Sequence, residues 1–255
     1  MSSMSRSQDA RSPGVVIQYE VPRTRPDWTL PEEPVPESQP HDQTLDLLKA
    51  ILLAWVARTG ASAQVARNLA VRWEPSQPNI GVDPDLSVID PRTPEGDELE
   101  SLCTWKPGHT APRLAIEVVS SKPRKDYETI VDRFAAAAVE ELWLFDPQLA
   151  GATRLGGPDR LQLWRRQDDR FVRIYAGEGP FFSPALAAWV FAVNEGQRLR
   201  IADDREGTAW WMTREEAERT AKEAAVLAKD AERVAKEAAL ARVRELEEEL
   251  SKRGG

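Results

Sequence analysis

Asp85 and Glu117 are the residues in this sequence with the clearest potential for chemistry. Asp85 follows Pro84 at the start of the short apolar segment LSVID, and Glu117 lies inside the apolar run LAIEVV. An unpaired carboxylate in such a run costs several kcal/mol unless a cation or a partner compensates for its charge. If the fold brings Asp85 beside Glu117, the two carboxylates would repel each other and attract a divalent cation.

A cation held by two carboxylates would supply hydrolytic chemistry. Mg²⁺ prefers oxygen ligands, keeps several waters, and is commonly bound by one or two protein carboxylates together with substrate phosphate. Such an ion polarises a phosphodiester and promotes ionisation of the attacking water.

Two alternative roles for these acids stay open. An Asp after Pro commonly initiates a turn, and Glu117 could instead pair with a buried arginine.

The elements that must position these acids follow an α/β pattern. Apolar residues recur at intervals of three and four from Leu45 to Val56, which predicts a buried helix that begins near His41. A helix between two apolar strands favours parallel pairing of those strands. We expect strands around 68–73, 86–90, 112–121 and 141–147, a second helix at 126–138, and an antiparallel hairpin formed by 160–166 and 170–176, with a loop at 91–111.

Three segments, in order along the chain, resemble a known family. They are Pro84-Asp85-Leu-Ser-Val, LAIEVVSS and KDYETIVDRFAAAAVEELWLFDP, and the later stretches SPALAAW and GQRLRIADDREG are similar to the C-terminal ends of such domains. The set resembles the Uma-two family of restriction endonucleases, within the PD-(D/E)XK nuclease superfamily. The resemblance implies a restriction-endonuclease-like mixed sheet flanked by helices. It also implies metal-dependent cleavage of a nucleic acid, with DNA as the expected substrate.

The resemblance also implies a metal site. By it, Asp85 and Glu117 are ligands of Mg²⁺ or Mn²⁺, and the backbone carbonyl of Val118 or Val119 supplies a further oxygen. An apolar strand ending in Glu-Val-x-Ser and a strand start at Pro-Asp are the two motifs on which this assignment depends.

The sequence departs from the family pattern at the catalytic lysine. The signature places a lysine two residues after the glutamate, where this chain has Val119, and Ile130 stands at the position of the usual replacement. Lys122 and Lys125 lie nearby in sequence, and either would orient water or stabilise developing charge if it reached the site. Solvated loop positions are the alternative for both. Arg133 could stabilise charge but cannot act as a base.

Other candidates for chemistry have simpler explanations. His41 is expected to cap the first helix or face solvent, and His109 is expected to be exposed in the long loop. Cys103 is the only cysteine and has no neighbouring histidine or helix start to activate its thiol. A single cysteine excludes an internal disulfide framework and is typical of a reducing compartment.

Composition limits the function further. The net charge is −8 and the sequence pI is about 5.1, which argues against a general nucleic-acid coat but not against a nuclease. The chain contains no run approaching the roughly 18 apolar residues of a membrane span, and its N-terminus lacks the apolar core of a secretory signal. The sequence therefore predicts a cytoplasmic protein without membrane contact.

We expect three regions: a proline-rich extended arm at 1–40, the nuclease-like domain at 41–212, and a charged, Ala-rich helix at 213–255. The arm stands where relatives usually have an opening strand. In the helix, small and apolar residues recur at intervals of three and four, which is compatible with a coiled coil and a homo-oligomer or with a solvated single helix.

The missing lysine and this C-terminal helix motivate a second hypothesis, a catalytically silent nuclease fold used for binding or assembly.

Overall fold

The structure is a computed structural model of the 255-residue chain. It describes residues 18–21, 24–30, 39–119, 130–151, 158–168 and 170–253. The chain divides into two compact units, Met1–Trp211 and Met212–Gly255.

Among its described residues, the first unit contains two α-helices and twelve strands. The helices are α1, Gln39–Thr59, and α2, Ile130–Ala136. The strands are β1 Gln18–Glu20, β2 Gln64–Arg67, β3 Ala70–Arg72, β4 Leu86–Ile89, β5 Ser101–Cys103, β6 Leu114–Val118, β7 Glu141–Phe145, β8 Leu161–Gln167, β9 Arg170–Gly177, β10 Phe181–Ser183, β11 Ala188–Val193 and β12 Arg198–Ala202.

A seven-stranded mixed sheet forms the centre of this unit, in the order β1-β9-β8-β7-β6-β4-β2. Strands β6 and β7 are parallel, as expected for two apolar strands joined by a segment that contains a helix. The other neighbouring pairs are antiparallel, including the expected β8–β9 hairpin. The predicted class, an α/β fold with a mixed sheet flanked by helices, is confirmed.

The sheet is buried on both faces. On one face it packs against α1 and against a small antiparallel sheet, β10-β11-β12, through residues such as Leu48, Leu86 and Ile201. On the other face it packs against α2 through residues such as Phe134 and Leu144. Every residue of β4, β6 and β7 is buried, which explains why these strands are continuous apolar runs rather than alternating ones.

The structure corrects two of the expected elements. The strand predicted around 68–73 is β3, and a strand that the sequence did not predict, β2, precedes it; the two are separated at Asn68, whose φ of 51° turns the chain. The expected loop at 91–111 contains a short 3₁₀ helix, Gly96–Glu98, and β5, which pairs in parallel with β3. Both unpredicted strands are short, with four residues in β2 and three in β5, which is too few to show a period in the sequence. They form because β2 pairs with β4 and β5 pairs with β3.

The proline-rich arm also contains regular structure. Strand β1 pairs with β9 at the edge of the large sheet. Trp28 is 2% exposed, and Thr29 forms a β-bridge with Ile80. The arm therefore contacts the rest of the first unit at two places, strand β9 and the segment that contains Ile80, and its extended backbone includes one short strand that the sequence did not predict.

The second unit contains the helix α3, Arg214–Arg253. It begins with a capping box: the Thr213 hydroxyl accepts a hydrogen bond from the Glu216 N–H (3.1 Å), and the Glu216 carboxylate accepts one from the Thr213 N–H (2.9 Å). Forty residues give a helix about 60 Å long. Within the part of the chain that the structure describes, no helix combines the length and apolar character that crossing a bilayer requires.

Candidate metal centre

The register of β4 and β6 brings the two predicted acids to one end of the sheet. Leu86 pairs with Ile116, and Asp85 immediately precedes Leu86. One further step of this register places the backbone of Asp85 level with Glu117. Residues opposite each other in an antiparallel pair have Cβ atoms about 5 Å apart, so the register explains how acids distant in sequence become neighbours.

Asp85 and Val118 are in direct contact. The Oδ2 atom of Asp85 accepts a hydrogen bond of 2.7 Å from the Val118 N–H. The carbonyl of the same Val118 lies at the end of β6, and the Asp85 side chain is 13% exposed. The structure therefore places a carboxylate and a main-chain carbonyl, two of the three predicted oxygen ligands, at one strand end.

His41 joins these two groups from α1. Its Nε2 atom lies 3.1 Å from Asp85 Oδ2 and 3.2 Å from the Val118 carbonyl oxygen. The His41 side chain is 10% exposed. The expectation of a capping or solvent-facing histidine was therefore wrong, because the first turn of α1 lies against the end of the sheet.

The position of His41 is supported by charged contacts from β2. Arg67 forms ion pairs with Asp42 and Asp46, the second at 2.8 Å, and these residues lie in the first two turns of α1. Arg67 belongs to β2, next to β4 in the sheet. These pairs connect the start of α1 to the strand beside the site.

Glu117 is 6% exposed, and its neighbours in β6 determine its direction. Ile116 and Val118 belong to the core that faces α1, whereas Ala115 belongs to the core that faces α2. Because side chains alternate along a strand, Glu117 lies on the α2 face. Across the described ranges, no three or more His, Cys, Asp or Glu side chains form a group that could hold a metal ion. A metal site here would therefore depend on main-chain oxygen as well as side chains.

The two positions at which the family pattern places lysine are both in the core. Val119 is 4% exposed and Ile130 is 7% exposed. Lys122 and Lys125 lie outside the described residues. Arg133, one turn after Ile130, is half-buried. Burial lowers its pKa, while the carboxylates of Asp27 and Asp83 raise it.

The second histidine and the cysteine form a separate structural cluster. The Cys103 N–H donates to His109 Nδ1 at 3.1 Å, and His109 Nε2 lies 3.1 Å from a Glu95 carboxylate oxygen. The His109 side chain is 1% exposed, so the expectation of an exposed loop histidine was wrong. Backbone and His109 hydrogen bonds lower the pKa of Glu95. These contacts hold the long loop against β5.

Comparison with known proteins identifies the family. The model of the family "Uma2: Putative restriction endonuclease" matches residues 29–171, more than half of the chain. This chain belongs to the Uma2 family. The predicted resemblance is thereby confirmed. The curated proteins contain no match.

One solved structure similar to this Uma2 chain is a nuclease-family protein from Anabaena variabilis ATCC 29413, described as "a putative nuclease belonging to DUF820". It shares 17% sequence identity and has a TM-score of 0.41. The match covers 60% of this chain and 76% of the Anabaena protein. The Uma2 match ends at Phe171, so β10–β12 and α3 lie beyond it.

Within this Uma2 domain, the sequence predicted a site that contains Asp85, Glu117 and Val118, but it did not predict that His41 contacts Asp85 and Val118. A weak signal was present: His41 precedes the apolar stripe of α1 by only four residues, at Leu45. A position so close to a buried stripe favours contact with the domain over solvent. The partner of the imidazole could not be inferred, since Asp85 is 44 residues away in the chain.

Proposed function

We propose that this Uma2-family protein is a metal-dependent phosphodiesterase, most simply a DNA endonuclease. The observation that supports it best is the approach of the Asp85 carboxylate to Val118, with a hydrogen bond of 2.7 Å to its N–H. In the proposed site Asp85, Glu117 and the Val118 carbonyl bind Mg²⁺ or Mn²⁺. All are hard oxygen donors of the kind that these ions prefer. Family membership supports a nuclease-type activity.

The donor chemistry of the site is compatible with a divalent cation. Asp85 and Glu117 are mostly buried acids at one end of the sheet, and burial of two like charges is unfavourable without a compensating cation. When bound, the ion would stabilise charge that develops on the phosphate and promote ionisation of the attacking water.

The protein residues have distinct proposed roles. Asp85, immediately before β4, and Glu117, in the adjacent β6, orient the site from the ends of two paired strands, which are more rigid than a free loop and so suit a catalytic centre. Lys122 or Lys125 supplies a positive charge toward the scissile phosphate. Arg133, half-buried on α2, is a further candidate for holding phosphate, since it remains charged.

Cleavage of supercoiled plasmid and of single-stranded DNA, with Mg²⁺ or Mn²⁺, tests the proposal. We expect nicking or degradation by the wild-type protein. Glu117→Gln and Asp85→Asn should each lower the rate by about 100-fold or more, because each removes a charge that the cation requires while keeping the side-chain size.

The matched control is Glu98→Gln, which removes one carboxylate from an exposed position in the 3₁₀ helix Gly96–Glu98. Its cleavage rate should equal that of the wild-type protein. Activity that is independent of divalent ions, or unchanged in Glu117→Gln, would remove the assignment.

A second candidate function is a catalytically silent nuclease fold that acts in binding or assembly. The buried, apolar Val119 and Ile130 at the two lysine positions favour it, as does the exposed helix α3. In that case titration calorimetry should detect no divalent-ion binding, and α3 should carry partner capture or self-association. Under either function, we propose that the protein is cytoplasmic.

A further inference from the structure

The three-stranded sheet β10-β11-β12 carries aromatic and basic side chains on its outer face, the face turned away from the core. Phe181, Val190 and Ile201 point inward and belong to the core that faces α1. Side chains alternate along a strand, and directly paired residues share a face. The outer face therefore carries Phe182, Trp189, Phe191, Arg198 and Arg200. Packing of the core does not account for these five residues.

Phe182 is the most exposed aromatic residue of the outer face, at 43%. Its ring lies edge-on to that of Trp189, with 5.5 Å between the ring centres and 63° between the ring planes. The turn after β12 lies against Phe191 and Trp210, because a Cβ on Gly207 would come within 3.4 Å and 2.9 Å of these rings. Phe182, with Trp189 beside it, is therefore the place on this face where a planar ligand can stack.

The charged side chains of the outer face are arginines. Arg198 and Arg200 lie on β12, and the guanidinium of Arg205 lies 5.5 Å from the centre of the Trp189 ring. Among the described residues, neither Arg198 nor Arg205 forms an ion pair with a carboxylate. The acidic residues nearest in sequence are in the turns at the two ends of β12, namely Glu195, Asp203, Asp204 and Glu206. The face thus presents positive charge suited to phosphate.

One end of the outer face borders the first turn of α1. The Nη2 atom of Arg198 donates to Gln43 Oε1 at 3.4 Å, and the same turn contacts the candidate metal centre through His41. Arg198 lies four residues along β12 from the partner of Trp189, which is about 13 Å. This is the length of about four stacked nucleotides. A short strand would therefore reach from the end of α1 to the aromatic pair.

We propose that the outer face of β10-β11-β12 binds a single strand of nucleic acid, with bases stacked on Phe182 and Trp189 and phosphates paired with Arg198 and Arg205. Proteins that bind single strands combine aromatic rings, on which any base can stack, with positive groups that follow the backbone. A duplex buries the faces of its bases and offers no such contact. Binding to this face requires no cation, and only the delivery of the strand to the candidate metal centre rests on the proposed function.

Fluorescence anisotropy of a labelled oligothymidylate with the full-length protein in EDTA tests the stacking contact. The single strand should bind more tightly than the same strand annealed to oligoadenylate. Phe182→Ala should weaken binding by at least about fivefold, whereas Phe182→Tyr keeps a ring and should retain wild-type affinity. Ile174→Ala, at an exposed apolar position of β9, is the control and should bind as the wild type. A parallel titration with an oligouridylate identifies DNA or RNA as the preferred strand.

The salt dependence of binding tests the arginines. Each phosphate contact contributes about 0.7 to the slope of log K against log salt for a single strand. Arg198→Gln and Arg205→Gln should each reduce this slope by about that amount. Arg92→Gln, at an exposed arginine of the long loop, should leave the slope unchanged. A purely structural role of these arginines would alter stability but not the slope.

Three results would overturn the inference. They are duplex binding as tight as single-strand binding, wild-type affinity in Phe182→Ala, and unchanged slopes in both arginine variants. Absence of any binding overturns it as well; if Phe182→Ala then also lowers the mass of the full-length protein in sedimentation, the face is a contact between two copies of this chain.

The same measurements separate failure of this inference from failure of the proposed function. If the wild-type protein binds the single strand in EDTA but cleaves no DNA with Mg²⁺ or Mn²⁺, the binding face stands and the proposed function is wrong. If it cleaves DNA while Phe182→Ala binds the strand as the wild type does, the proposed function stands and the binding face is wrong.

Discussion

At the scale of single residues, Asp85 has two roles that are separable by experiment. It accepts the Val118 N–H at 2.7 Å, which satisfies a backbone donor at the end of β6, and in the proposed function it also binds a cation. An asparagine keeps the oxygen acceptor but loses the charge. Substitution by asparagine therefore tests the electrostatic role with little disturbance of the backbone contact.

We predict that Mn²⁺ stabilises the wild-type protein and that Asp85→Asn loses most of this effect. A ligand that binds only the folded state raises the free energy of unfolding by about 2.7 kcal/mol at 100 times its dissociation constant. Urea denaturation with Mn²⁺ and with a chelator measures the difference. Asp97→Asn, at an exposed site beside Arg92, is the control. Equal stabilisation of Asp85→Asn by Mn²⁺ would contradict a cation at this site.

At the scale of elements, a buried carboxylate connects the seven-stranded sheet of the first unit to the three-stranded sheet β10-β11-β12. Glu141 of β7 is 1% exposed and accepts hydrogen bonds from the Trp143 indole N–H (2.8 Å), the Ala185 N–H (3.1 Å) and the Ser183 hydroxyl. It lies at the N-terminal end of β7, whereas the candidate metal centre lies level with the C-terminal end. Glu141 therefore belongs to the structural support of the sheets.

The pH dependence of stability should report the burial of Glu141. Burial raises its pKa above the ordinary value of 4.5, although hydrogen bonds from Ser183 and Trp143 oppose this effect. A raised pKa in the folded state contributes stability that is fully present below the unfolded-state pKa and is lost as pH rises through the folded-state pKa. We therefore predict that stability relative to Glu141→Gln falls from about pH 4.5 upward, by about 1.4 kcal/mol for each unit of pKa difference.

Chemical denaturation at a series of pH values provides the measurement. Glu140→Gln, one residue earlier and exposed, controls for the removal of one carboxylate. A stability difference between the wild type and Glu141→Gln that stays constant or grows with pH would contradict a raised pKa.

At the scale of the whole molecule, α3 carries six of the large apolar side chains that are exposed among the described residues. Leu227 and Val234 lie on the three-four stripe that the sequence predicts as a seam, and they are 70% and 57% exposed. Val226 is 60% exposed but lies off this stripe. The predicted seam is rich in alanine, which buries little area, so association through it should be weak.

We predict that the full-length protein self-associates in a concentration-dependent manner and that deletion of residues 213–255 makes it monomeric. Leu227→Lys should have the same effect as the deletion, because it places a charge in the seam, whereas Val226→Lys should not. Sedimentation equilibrium across a range of concentrations measures the mass. A full-length protein that stays monomeric throughout would show that α3 is a solvated single helix.

Local sequence pattern determined the parts of this protein that depend on one segment alone. The three-four period predicted α1 and α3, and continuous apolar runs predicted β4, β6 and β7, because burial on one or both faces directly constrains residue type along an element. Asp85 and Glu117 could be selected as candidates for the same reason, since a charge at the edge of or within an apolar strand requires a partner.

Tertiary structure alone decided which residues meet. His41 contacts Asp85 across 44 residues and Val118 across 77, and the packing of α1 against the end of the sheet sets both contacts. Periodicity reports the face on which a side chain lies but not the element opposite, so His41 was assigned to a helix cap or to solvent, and the short strands β1, β2 and β5 were missed. Pairing of distant segments supplies the backbone hydrogen bonds of such short strands, and a single segment carries no record of that pairing.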